Sequence, residues 1–159
     1  MQLDTHTLTG RALDWAVAIA EKRTARVCTW RGKDPIVLID LIDAFGELLR
    51  RTAFCPSEDH ARGGEIIEKA GIAVRRSSTG KWFAMLSSDL GDGTGAQWNE
   101  LSAHGGERYG PYSYQVHKRR IRFDGETMLI AAMRCYAASI LGPKVDVPDE
   151  LLAPATISD

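Results

Sequence analysis

Apolar residues recur with a helical period over 11–23, where Leu13, Val17 and Ala20 share a face with Ala16 and Thr9 precedes the run as an N-cap. The next run, Val27-Cys28-Thr29-Trp30, suits a strand. The turn Arg31-Gly32-Lys33-Asp34-Pro35 ends it, because proline cannot join an interior ladder. Segment 36–51 carries two patterns at once. Its β-branched start, Ile36-Val37-Leu38-Ile39, favours a strand, whereas Leu38, Leu41, Ile42, Phe45, Leu48 and Leu49 recur with helical spacing, and a helix is expected over the later half.

Phe54-Cys55-Pro56-Ser57-Glu58-Asp59 reads as a loop feeding a helix from about His60 to Ala70, with Gly71 as its C-cap. Gly63 and Gly64 weaken the first turns of that helix. Ile72-Ala73-Val74 and 81–87 form the two arms of an antiparallel hairpin across Ser77-Ser78-Thr79-Gly80. Segment 88–113 holds six of the fifteen glycines with little periodicity, and reads as a long loop of a kind that is uncommon unless mobile or functional. Strand character resumes over 114–123, with Ile121 and Phe123 on one face and Arg120 and Arg122 on the other. After the turn at Asp124-Gly125 a last helix runs over 127–141. Leu129, Met133, Tyr136 and Ile140 form its apolar stripe, and Gly142-Pro143 stops it. From Val145 onward there are four acidic residues and no Lys or Arg, and Pro148 and Pro154 discourage regular structure.

These elements predict an α+β fold: one domain over 1–144, with an antiparallel sheet of about three to five strands and two or three helices packed on one side, followed by an acidic tail over 145–159. The 159 residues are enough for one core. Twenty basic residues against twenty-one acidic ones give a net charge of −1, so no global field favours nucleic acid or a membrane surface. No apolar run approaches the length that spans a bilayer, and the start Met1-Gln2-Leu3-Asp4 lacks the features of a signal peptide, so a cytoplasmic protein without a membrane partner is expected. Cys28, Cys55 and Cys135 form no C-x-x-C pair and are read as reduced.

Three segments resemble the NinX-like family of small bacteriophage and prophage proteins. They are Leu8-Thr9-Gly10-Arg11-Ala12-Leu13-Asp14-Trp15-Ala16-Val17-Ala18, then Pro56-Ser57-Glu58-Asp59-His60-Ala61-Arg62-Gly63-Gly64-Glu65-Ile66-Ile67-Glu68, and finally 126–152 with Met128-Leu129-Ile130-Ala131-Ala132-Met133-Arg134-Cys135-Tyr136 at its heart. The middle segment departs from the family pattern at Phe54, Cys55, Glu58 and His60. The resemblance implies a phage accessory protein that acts on a host or phage partner, and it carries no biochemical activity with it.

Candidate chemistry is sparse. Cys55, Asp59 and His60 fall short of the four converging donors of a metal site, and no orienting carboxylate or oxyanion hole accompanies Cys55 and His60 as a nucleophilic pair, so neither a metal, a cofactor nor a catalytic residue is expected. Asp89 to Gly95 could curl around an anion but meets neither the P-loop nor the Rossmann pattern. Segment 108–122 is the arrangement best suited to phosphates and stacked bases. It carries Arg108, Lys118, Arg120 and Arg122 without an acid, interleaved with Tyr109 and Tyr112, and makes nucleic acid or nucleotide the alternative ligand. The bland reading is a solvated strand face. Asp59 is a second candidate as helix cap, and Gly63 and Gly64 as points where another backbone or a ligand comes close. Asp14 and Arg134, polar residues in apolar helices, either face water or pair with each other.

Overall fold

The computed structural model describes residues 1–29, 34–88 and 119–152. Thr9 is extended and the chain turns helical at Gly10, giving α1 (Gly10–Ala20), although the Thr9 hydroxyl makes no capping bond. In α2 (His60–Ala70) the Asp59 carboxylate accepts from the Ala61 N–H, and Gly71 closes the helix in the left-handed conformation that glycine adopts without a Cβ clash. The last helix, α3 (Met128–Leu141), is capped by Thr127, whose hydroxyl accepts from the Ile130 N–H.

The strands are β1 (Gln2–Asp4), β2 (Ala25–Cys28), β3 (Ile36–Ile42), β4 (Leu48–Ala53), β5 (Ala73–Arg76), β6 (Trp82–Ser88), β7 (Arg119–Gly125) and β8 (Lys144–Asp146). The fold is α+β. The expected single sheet of three to five strands is replaced, among the described residues, by three antiparallel sheets: β2-β3-β4, β5-β6-β7 and the pair β1-β8. One small sheet could not cover both α1 and α3, so β2 and β3 pack on α1 while β6 and β7 pack on α3.

Three local expectations are corrected. The later half of 36–51 is strand, with Asp40 opposite Arg51 and Ile42 opposite Leu48. Asp43 decides this: its carboxylate accepts from the backbone N–H of Phe45 and Glu47, and Gly46 takes a positive φ of 86°, so the polar turn interrupts the helical spacing of the leucines. In α3 the apolar face is wider than a stripe. Leu129 and Met133 are buried with Ala131, Ala132, Cys135, Ala137 and Ala138, whereas Ile140 is exposed. Tyr136 is half-buried and its hydroxyl donates to the Glu21 carboxylate. The start of the supposedly irregular tail is ordered, because Leu3 pairs with Val145, and Val145, Val147 and Leu151 enter the core.

Asp14 and Arg134 do not pair. The Arg134 guanidinium donates to the carbonyl oxygens of Leu8 and Asp124, both at 2.8 Å, and so ties the approach to α1 to the end of β7. The loop 88–113 beyond Ser88, the beginning of the strand expected at 114, Trp30 and the tail beyond Leu152 lie outside the described residues.

Candidate functional site

Asp14 occupies a core-facing position of α1 beside Leu13 and is only 2 % exposed. One carboxylate oxygen, Oδ1, accepts from the Ser57 backbone N–H at 2.9 Å, which fixes the loop before α2 against α1. The other, Oδ2, accepts no hydrogen bond of good geometry among the described residues, although the Ser57 side chain lies near the carboxyl. Burial pushes this carboxyl up to about 6, against the pull of the Ser57 N–H and of the Ser57 hydroxyl; nearby Glu58 adds to the rise and Arg11 opposes it. The Ser57 hydroxyl is itself buried and, although near the Asp14 carboxyl, makes no hydrogen bond of good geometry among the described residues.

Asp14 lines an open cleft of about 460 Å³ between α1, the start of β3 and the loop after β4. Val37 and Phe54 are its buried walls, while Arg11, Ile36, Ala53 and Glu58 form the more exposed rim. The Arg11 guanidinium is held by the Asp34 carboxylate at 2.7 Å. Cys55 also lines the cleft, but burial, reinforced by the negative charges of Asp14 and Asp59, pushes its thiol up and away from the thiolate a nucleophile needs. His60 is exposed at the start of α2, and no three potential metal ligands come together among the described residues.

The described residues among those singled out from the sequence fall in two places, β7 and the start of α2. Arg108, Tyr109, Tyr112 and Lys118 lie outside the described residues. Arg120 sits in β7 opposite Ser87. Arg122 has its guanidinium carbon 4.2 Å from the centre of the Phe83 ring and is half-buried, so it stacks on the protein rather than standing in solvent. Asp59 is spent on its own helix, capping Ala61 and lying 3.4 Å from the Arg62 guanidinium. Gly63 and Gly64 separate: a Cβ on Gly63 would fall 2.5 Å from the Pro56 carbonyl oxygen and 2.7 Å from the Leu129 side chain, whereas one on Gly64 would meet open space. The close approach is therefore protein on protein, at Gly63.

Two features were missed. Asp14 carried a signal, an acid beside Leu13 on the apolar face of a helix, but only the fold brings Phe54 and Glu58 to it. The tip of the β3-β4 hairpin gave the opposite signal. Its helical spacing reads as core, yet Phe45 is 92 % exposed, Leu49 67 % and Ile42 62 %.

No curated protein matches the chain. The family model described as "Bacteriophage P22, NinX" matches residues 4–105, a stretch that contains α1, the Asp14 cleft, the β3-β4 hairpin and α2, and stops short of α3. That match covers well over half of the sequence, and the chain belongs to the bacteriophage P22 NinX family.

Proposed function

We propose that this phage-family protein acts by binding another protein, of host or phage origin, and that the tip of the β3-β4 hairpin is the contact. The observation that carries this reading is that Ile42, Phe45, Leu48 and Leu49 are all left in solvent around one turn, with Ile42 opposite Leu48 in the ladder. Large apolar side chains gathered at an exposed turn mark an interaction surface, and aromatic rings are enriched among the anchors of such contacts. Beside the leucines Arg50 is exposed and, among the described residues, joins no ion pair, while Arg51 is engaged by Asp40 at 3.0 Å. The complementary partner has an apolar pocket for Phe45 with acidic groups next to it.

The test is affinity capture from host and infected-cell lysates with the wild-type chain, Phe45→Asp and Leu49→Asp. A protein retained by wild type and lost by both variants, with unchanged melting temperatures, supports the reading. Capture that is indifferent to both substitutions overturns it, as does sedimentation showing that the tip is covered by a second copy of the chain. Binding of nucleic acid or nucleotide through 108–122 is the weaker alternative, since Arg122 is already engaged on Phe83. Titration with single-stranded DNA at two salt concentrations checks it, because phosphate contacts weaken as salt rises.

A further inference from the structure

We propose that the cleft over Asp14 binds an organic cation, an ammonium or guanidinium group carried on a short apolar chain. This site is separate from the hairpin tip: it lies at the base of β3, about 20 Å from Ile42 at the usual rise per strand residue. Asp14 lines this cleft, with Oδ1 bonded to the Ser57 N–H while Oδ2 makes no hydrogen bond among the described residues. A buried carboxylate gains most from a charged donor, since charge-assisted hydrogen bonds are roughly twice as strong as neutral ones. The charged groups around it favour a cation. On its own helix Arg11 is neutralised by Asp34, and from the loop after β4 come Glu58 and the protonated Cys55 thiol. The segment of β3 that lines the cleft, Ile36 and Val37, brings no charge. An anion would therefore face two carboxylates. A bare metal ion would find too few oxygen donors, as calcium takes six to eight. Val37 and Phe54 supply apolar walls for the carbon chain, and the volume lies within the range of small-molecule sites.

The same chemistry has two sources, a free amine or guanidine and the Lys or Arg side chain of a protein. Calorimetric titration of the full chain at pH 7.5 with butylammonium, butylguanidinium, neutral butanol and a capped Ala-Arg-Ala peptide separates them. The cations are expected to bind and butanol is not, and Asp14→Asn should weaken binding by about tenfold or more while its amide oxygen still accepts from Ser57. Saturating cation should also move the titration of the Asp14 carboxyl carbon, followed by NMR, to lower pH. Peptide binding tighter than butylguanidinium assigns the cleft to a protein side chain, and the reverse order assigns it to a small molecule. If Asp14→Asn fails to fold, Glu58→Gln at the exposed rim and the loss of affinity between pH 7.5 and 5 decide instead. No cation binding at millimolar concentration, equal binding of butanol, or affinity unchanged by Asp14→Asn overturns the proposal.

Discussion

At the scale of single residues, Asp14 couples packing to pH. Its folded-state carboxyl is raised from 3.8 to about 6, chiefly by burial, so the folded chain holds this proton more tightly than the unfolded one. The stabilisation that follows is complete below about pH 4 and is lost as pH rises through about 6, the reverse of a salt-bridged aspartate. The rise from 3.8 to about 6 corresponds to roughly 3 kcal/mol. Asp14→Asn cannot ionise but keeps the acceptor for Ser57. Denaturant titrations of both proteins should show the variant gaining on wild type by about 2–3 kcal/mol between pH 4 and pH 7.5. Parallel pH profiles would mean that the carboxyl is solvated.

At the scale of elements, the two adjacent glycines of α2 make opposite demands. Gly63 lets the Pro56 carbonyl and Leu129 of α3 approach to distances a methyl group cannot share, so Gly63→Ala should destabilise by about 1–3 kcal/mol. Gly64 is helical with open space where a Cβ would stand, so Gly64→Ala should be neutral or stabilise by up to about 1 kcal/mol through the unfolded chain. Thermal melts of the pair measure the contrast, and equal effects would show that α2 does not press on Pro56 and Leu129. Gly125 plays the same part where β7 meets α3, since a Cβ there would lie 2.5 Å from the Ala131 backbone nitrogen. The alanines of α3 serve this dense packing, letting α1 on one side and β6 and β7 on the other draw close to a single helix.

At the scale of the whole molecule, the described start and end of the chain close on each other. The amino group of Met1 donates to the Val147 carbonyl at 2.7 Å, Thr5 donates through its hydroxyl to Gly142, and Trp15 donates from its indole to Asp146. Val147 is almost fully buried, so Val147→Ala should cost about 2 kcal/mol in equilibrium unfolding, whereas a free acidic tail would register under about 0.5 kcal/mol. With 145–152 packed in this way, half of the eight exposed large apolar side chains among the described residues, Ile42, Phe45, Leu48 and Leu49, lie at the hairpin tip proposed above as the contact.

The amino-acid sequence by itself determined the elements whose signals are local. The spacing of Leu13 and Val17, the Asp59 cap with Gly71 as stop, the polar turn after Arg76 and the alternation of Ile121 and Phe123 each name an element from neighbours a few residues apart. The family resemblance was legible in the same way, from short contiguous segments, the first two of which fall within the matched 4–105. Tertiary structure decided the rest, wherever two local signals competed or a distant partner was needed. Leu41, Leu48 and Leu49 satisfy helical spacing, but the Asp43 turn and the ladder with β2 select strands and leave the tip in water. Val145 and Val147 alternate like a strand within an acidic stretch, and only pairing with β1 makes that alternation count. Asp14 reads as a polar blemish on a helix until Ser57, Val37 and Phe54 arrive from segments more than twenty residues away and turn it into the floor of a cleft.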